Sequence, residues 1–520
     1  MNNANPHSKE PSPAIQSNKS SLAHLSYKKG GGLKFKIISG ILWNTVNSGA
    51  SFIITIGTVA VLARLLKPED FGMFAMITVV IGIMESFSDM GISAAVISYK
   101  DIRDYELSSL LVFNIVVGVF LAVLLAAASP LVVFYYKEPR LSMYLYLLAL
   151  NFIITSPAII FNVLMKKHMQ FKILSRINII ATVIYGVTAI AYAWFTRNII
   201  SLVVGTLLQS VVSTVLNIYY GLRLWKPGIM EIRYAHIKRF LSFGLFQIGE
   251  RIINRINWNI DYLIIGRFLG AQSLGFYYLA YNLMLKPIQK INPIITGVAF
   301  PALSEIQENT EQLKRYFLKM IRYIITVMAP IYLLFFVIPG PVILVLYGDE
   351  WMLSVPVLGV FAFLGILYSI GNPMGNLILA KGRADIGFWM NVGQTLFLLT
   401  ANYIGSKWGI MGVAVSTLAV TLCIFVPVGF FVRYYLVKMT VSEYLEQLKK
   451  PILLSFAAGG VIVFLKKFLI VLSPFSQLVL LGGLFVIIYG VLLIIFEKEE
   501  IRFLLKTIKE YGKREKITQE

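Results

Sequence analysis

The sequence predicts an all-α polytopic membrane protein of about 14 transmembrane helices. It places two six-helix lobes in parallel repeat around a central cavity and adds two C-terminal helices. Three observations carry this expectation. The 520 residues are 57% hydrophobic and only 14% charged, with a mean hydropathy of +0.75, far from the composition of a soluble chain of this length. Apolar runs long enough to cross a bilayer recur from end to end. A short motif near the start returns near the middle.

The runs fall at 38–62, 71–97, 107–128, 141–163, 173–194, 199–221, 241–265, 273–299, 317–339, 355–379, 386–405, 409–431, 452–471 and 475–496, numbered here as spans 1 to 14. Each approaches or exceeds the ~20 residues that cross ~30 Å of hydrocarbon. An even number of spans leaves both termini on one side. That side, with its flanking turns, collects 34 of the 47 Lys and Arg, and the opposite side 9. The positive-inside rule then makes both termini cytoplasmic. It also reads the net charge of +21 as topology and contact with anionic lipid, excluding a nucleic-acid footprint.

The domain plan is a disordered cytoplasmic tail (1–36), an N-terminal lobe (37–225), a C-terminal lobe (226–435), two additional spans (436–496) and a cytoplasmic amphipathic tail (497–520). In that last tail Ile501, Leu504, Leu505, Ile508 and Tyr511 share a helical face beside Lys506, Lys509, Lys513 and Arg514, as in a helix lying on the inner leaflet. A solvated tail is the alternative. The polar opening gives no secretory leader. No segment between spans exceeds about twenty residues, so no soluble catalytic domain is inserted.

The repeat rests on two motif pairs. Arg64 is followed by Gly72 and Phe74, and Arg267 by Gly275 and Tyr277, at the same spacing and an offset of 203 residues. Pro157 in span 4 and Pro373 in span 10 each lead into a basic inner loop, at Lys166-Lys167 and at Lys381-Gly-Arg383. A duplicated unit with an even number of spans inserts twice in one orientation, the parallel repeat of alternating-access carriers. Arg64, Gly72, Arg267 and Gly275 are expected to be structural residues at loop turns.

The stretch Leu62-Ala-Arg64-Leu-Leu-Lys-Pro68-Glu-Asp70-Phe-Gly72, followed by Asp89-Met-Gly91-Ile-Ser-Ala-Ala95, resembles the start of bacterial polysaccharide exporters of the Wzx type. Within the MOP flippase superfamily it is most similar to the colanic-acid and teichuronic-acid exporters. The resemblance spans nearly the whole chain. It implies translocation of undecaprenyl-pyrophosphate-linked oligosaccharide repeats from the inner to the outer leaflet for surface polysaccharides such as exopolysaccharide or lipopolysaccharide. It also implies a monomer serving the polymerase and glycosyltransferases of the same pathway. The family carries no fixed catalytic signature to transfer residue by residue.

The site must therefore be sought in buried charge. An ionised side chain at bilayer depth costs about 3 kcal/mol or more, so it normally faces protein or a wet cavity. Span 7 places Arg251, Arg255, Trp258 and Tyr262 in one stripe, with Glu250, Asn254, Asn257 and Asp261 beside it. Span 8 places Asn282, Lys286 and Lys290 on one face, with Pro287 and Pro293 breaking the regular ladder. Counting turns from the helix ends puts the four cations in one layer near the midplane. They are the candidates for neutralising a diphosphate, with Trp258, Tyr262 and Asn282 as further substrate contacts. The competing reading pairs Arg251 and Arg255 with Glu250, Asp261 or acids of other helices as internal glue. Glu85 and Asp89 of span 2, with Asp261 and Glu250, are candidates for proton or sodium coupling; the alternative is that they only balance the basic stripe.

No other chemistry is written in the chain. There is no GxxxxGK[ST], so ATP is not the direct energy source. HExxH, GxSxG and CxxC are missing, and Cys423 is the sole cysteine. No catalytic residue, metal site or cofactor is expected. Two other transporter readings remain open: a MATE-like drug or cation antiporter, and a flippase of lipid-linked peptidoglycan precursor. A membrane glycosyltransferase would need a large outer loop with catalytic acids. The longest outer loop, near 340–354, offers only Asp349 and Glu350.

Overall fold

The computed structural model describes residues 33–88, 91–99, 101–228, 237, 249, 252–469 and 471–498. The described residues contain no strand. Within them ten helices are long and apolar enough to cross a membrane, or eleven if one bent pair counts as a span. One of the ten, at 385–437, holds two predicted spans. The amphipathic face from Ile501 to Arg514 lies outside the described residues, as does most of the N-terminal tail.

The first six predicted spans become the helices Leu33–Leu65, Pro68–Ser88 with Ile92–Ser98, Asp104–Tyr136, Leu141–Thr155 with Ala158–Lys167, Phe171–Thr196 and Ile200–Gly221. Span 2 is not the single rod expected over 71–97. Gly91 sits at φ +72° between its two pieces, a left-handed conformation that glycine adopts without a Cβ penalty and that ends a helix. Span 4 bends by 49° between Thr155 and Ala158. Pro157 at the break supplies no N–H to the ladder.

The later helices run Gly270–Glu305, Thr310–Val337, Pro339–Leu346, Ser354–Gly371 with Met374–Ala380, Ala384–Gly405, Gly409–Val420 continuing to Val426–Val437, Val441–Phe468 and Pro474–Phe496. Outward faces are apolar, with Phe134, Phe195 and Ile487 all more than half exposed, as lipid contact requires.

Residues one repeat apart make matching contacts. Pro68–Ser88 packs lengthwise on Gly270–Glu305. At their crossing, a Cβ on Gly72 would stand 1.7 Å from the Ala271 carbonyl oxygen, and one on Gly275 1.8 Å from that of Pro68. Ala271 is Pro68 shifted by the 203-residue repeat offset, so the two glycines form the halves of one pseudo-symmetric crossing. The arginines follow the same rule. Arg64 donates from Nη2 to the Val345 carbonyl at 2.7 Å. Arg267 donates from Nη1 to the carbonyls of Phe134 and Tyr135 at 3.1 and 2.5 Å. Each guanidinium satisfies carbonyls that the end of a helix leaves without partners.

Gly72 and Gly275 are therefore not loop residues, as the sequence alone suggests. They lie in the opening turns of two helices, where a short motif lets two backbones touch. The segment after Pro339 seals the same end. Trp351 is fully buried, its Nε1 donating to the Ala63 carbonyl at 2.8 Å. Phe71 and Phe276 meet its ring edge-on at 5.3 and 5.9 Å.

The second motif pair also acts twice. Lys167 Nζ donates to the carbonyls of Val96 and Tyr99 at 2.8 and 2.5 Å. Lys381 Nζ donates to the Gln307 carbonyl at 2.7 Å and to Thr310 Oγ1 at 3.2 Å. Basic residues that follow a proline break thus tie down the far ends of spans 2 and 8.

The turn at 137–140 carries a pH-dependent link. Arg140 bonds Glu138 from Nε at 2.6 Å and also pairs with Glu69. The Arg140 hydrogen bond holds the Glu138 carboxyl below the usual carboxylate range. A depressed folded-state pKa stabilises above the unfolded value and is lost as pH falls through the folded one. Arg140→Ala should lower the thermal midpoint slightly at pH 7, because exposed pairs contribute little. As pH falls through the lowered Glu138 value, below the ordinary carboxylate range, the difference from the native protein should shrink and vanish.

Candidate functional site

Spans 2, 7 and 8 meet around two adjoining cavities of about 450 and 410 Å³. Span 7 builds its share with an interrupted helix. Residues 252–257 are helical, the chain turns at Trp258 and Asn259, and helix resumes over Ile260–Phe268. Asn259 has φ −130°, and its Nδ2 donates to the Arg255 carbonyl at 2.7 Å. A short amide side chain here competes with the backbone ladder, which is how Asn disfavours helix interiors. Asn259 breaks the regular turn inside the stripe expected for Arg251, Arg255, Trp258 and Tyr262, yet Arg255, Trp258 and Tyr262 still line one cavity.

Arg255 and Trp258 do reach the cavities, together with Glu85, Asn254 and Gly82. Arg255 Nη2 binds Glu85 Oε2 at 3.0 Å, yet the two side chains stay 44% and 48% exposed. An ion pair this open can exchange partners with an arriving anion, because solvent screens it and its net stabilisation is small. Gly82 makes room for it: a Cβ there would come within 2.5 Å of Arg255 Nε. Gly82→Ala is expected to push the guanidinium off Glu85 while leaving the backbone in place, since a flexible tip can move. Anion binding at the cavity should fall several-fold with an unchanged thermal midpoint. A thermal loss without a binding loss would show Gly82 to be a packing residue only.

Tyr262, Tyr278, Tyr281, Asn282 and Gln289 line the second cavity. Tyr262 is 4% exposed, contacts the rings of Tyr277, Tyr278 and Tyr281 at 5.6–6.2 Å and accepts a hydrogen bond from Asn282 Nδ2 at 3.2 Å. It braces an aromatic wall and offers little face of its own. Trp258, 42% exposed, is the ring at the mouth and touches Tyr368 edge-on at 5.6 Å.

Span 8 stays helical through Pro287 and Pro293. Its cavity face is Tyr278, Tyr281, Asn282, Leu285 and Gln289, not the expected Asn282–Lys286–Lys290 stripe. Each step of four residues drifts about 40° around a helix, which carries Lys286 and then Lys290 to the edge of that face. Both lysines are half-buried. Among the described residues neither has a hydrogen-bond or ion-pair partner.

Asp261 does not line these cavities. It is 4% exposed, and its Oδ1 accepts the N–H of Tyr262 at 3.0 Å. Arg251, Glu250 and Asp89 lie outside the described residues. No cluster of three His, Cys, Asp or Glu side chains suited to a metal occurs among the described residues.

Thr78, Asn151 and Thr206 on spans 2, 4 and 6 also line the second cavity, and sequence reasoning passed over them. Their signal was available: polar side chains recurring inside apolar runs, facing one another from three helices.

A protein-family model described as polysaccharide biosynthesis protein matches residues 61–356. The teichuronic acid biosynthesis protein TuaB of Bacillus subtilis (strain 168) is 32% identical over 82% of this chain and 88% of its own. The lipopolysaccharide biosynthesis protein WzxC of Escherichia coli (strain K12) is 32% identical over 83% and 89%. Among solved structures, lipid II flippase MurJ in an inward closed conformation superposes with a TM-score of 0.68 at 18% identity, covering 89% of this chain and all of that one. An inward-facing multidrug resistance MATE transporter of the MOP superfamily gives 0.57 at 16%, covering 75% and 96%. These two likenesses show the fold alone. With the family model spanning more than half its length and both curated relatives above 30% identity, the chain belongs to the polysaccharide biosynthesis proteins.

Proposed function

We propose that the protein flips undecaprenyl-pyrophosphate-linked oligosaccharide repeats from the inner to the outer leaflet of the bacterial cytoplasmic membrane, acting as a transporter and not as an enzyme. The observation that carries this reading is the open Arg255–Glu85 pair at the head of the two adjoining cavities, with Lys286 and Lys290 at the edge of the span 8 face that lines the second. An arginine can grip two phosphate oxygens at once. The two lysines, without an ion-pair partner among the described residues, add charge that attracts a dianion without occupying its place.

Both termini are cytoplasmic on this reading, and 37–225 and 226–435 are the two moving lobes. The crossing of Gly72 with Gly275, the reciprocal Arg64 and Arg267 contacts and buried Trp351 then close the outer end. On the same reading the cavity opens toward the inner leaflet. Alternating access requires that crossing to part after the headgroup has entered.

Arrival of the diphosphate displaces Glu85 from Arg255. The freed carboxylate can take up a proton or a sodium ion, which ties the loaded state to the ion gradient. Glu85→Gln should therefore retain binding of the lipid-linked anion but lose the dependence of transport on that ion. Unchanged ion dependence would assign Glu85 a purely electrostatic role.

The MATE-like alternative is weakened by the basic surroundings, which repel a cationic drug. A strain lacking the gene should accumulate lipid-linked repeat units on the inner leaflet and lose the surface polymer. Normal polymer with increased drug sensitivity would favour the antiporter. Accumulation of lipid-linked peptidoglycan precursor would favour the cousin flippase.

A further inference from the structure

A third cavity, of about 340 Å³, opens on the other side of Trp258, inside the C-terminal half of the molecule. Its walls are largely apolar, with Tyr368, Met390 and Phe425 among them. Arg433 stands at one end. It is 5% exposed, and its Nε is buried without a hydrogen-bond partner.

Two rings hold the guanidinium: that of Tyr444, whose centroid lies 4.5 Å from Cζ, and that of Phe430 at 5.7 Å. Ring contacts of this kind satisfy none of the in-plane N–H donors, and Nε is left without a partner. No carboxylate answers it among the described residues. Glu443, next in sequence to Tyr444, is committed to Lys314 at 2.9 Å and to the Thr440 N–H at 2.8 Å. A buried cation without a counter-charge is costly, so it calls for an anion from outside the chain.

The depth of Arg433 says what that anion is. The residue lies one turn from the end of Val426–Val437, where exposed Phe431, Tyr434 and Tyr435 surround it on the outer face, the aromatic pattern of a membrane interface. Lys438, Lys449 and Lys450 follow on the same side. Lipid phosphates occupy this level, and the apolar cavity runs from Arg433 toward Trp258, in the direction acyl chains take. We propose that this cavity is a binding site for an anionic phospholipid of the leaflet nearest the termini, with Arg433 contacting the phosphate and the glycerol end of the chains filling the apolar part.

The test uses the purified full-length protein in detergent, with phosphatidylglycerol, phosphatidylcholine and undecaprenyl phosphate offered in turn and retention read by native mass spectrometry. The native protein should retain phosphatidylglycerol at least tenfold over phosphatidylcholine. Arg433→Lys should keep retention within about threefold, since the charge remains. Arg433→Met should lose it tenfold or more. Equal retention of the two phospholipids by the native protein overturns the proposal even if the methionine variant fails to fold. Full retention in a folded Arg433→Met protein also overturns it and leaves Arg433 as ring-stacked packing. Retention of undecaprenyl phosphate alone overturns it too, by assigning the cavity to the transported lipid.

Discussion

Gly72→Ala and Gly275→Ala are each expected to destabilise the protein by about 3 kcal/mol, near the upper end of overpacking effects. The reason is what stands in the way. The new methyl meets a backbone carbonyl oxygen at 1.7 or 1.8 Å, and a carbonyl inside a helix cannot turn aside. The helices Pro68–Ser88 and Gly270–Glu305 must separate instead, which strips contact from Trp351 and the residues around it. The two glycines serve one crossing, so the double variant should cost clearly less than the sum of the singles. Thermal midpoints of the three purified variants provide the check. Single variants as stable as the native protein, or strictly additive losses, would deny that the two sites share one contact. The contrast with Gly82 is informative, because an added methyl there meets only a guanidinium that can swing away.

Much of this fold is legible in the sequence because lipid imposes a simple rule. Backbone groups must pair internally, so spans must be helical and long, and hydropathy finds them. The repeat was legible as well, since Arg64 with Gly72 and Arg267 with Gly275 stand at equal spacing. What those motifs do was not. A glycine in a turn and a glycine at a helix crossing look alike until the partner helix is placed.

The site was half legible. Arg255 and Trp258 could be singled out because charge and aromatic area inside an apolar run have few explanations. Asn259 interrupts the helix, which turn counting does not foresee, yet Arg255, Trp258 and Tyr262 still line one cavity. The lysines of span 8 were placed on the wrong face by the 40° drift of an i, i+4 series. Arg433 escaped notice for another reason: close to a span end it reads as a topology charge, and only its burial against Tyr444 reveals otherwise.

The second large effect is expected from Arg255→Ala combined with Lys286→Ala. A charge-assisted hydrogen bond to phosphate is worth about 1.5–3 kcal/mol. Losing both cations should weaken capture of a diphosphate by roughly a hundredfold or more at 1.4 kcal/mol per decade. Export of surface polymer should fall to a few per cent at normal expression, while fold stability changes little. Arg255 is partly exposed in an open pair, and Lys286 has no partner to orphan among the described residues. Arg255→Lys should recover part of the loss, since the charge returns without the two-pronged geometry. Full export in a normally expressed double variant would remove the cations from the transport step.

The most direct measurement is equilibrium binding of undecaprenyl diphosphate to the purified native protein and to the Arg255→Ala, Lys286→Ala double variant at fixed salt. The native protein should bind it well above undecaprenol, the neutral lipid with the same polyprenyl chain, with an affinity that declines as salt screens the charges, and the double variant should bind more weakly by roughly a hundredfold or more. Equal affinity in the two proteins, or no preference for the diphosphate over the neutral lipid, would contradict the account.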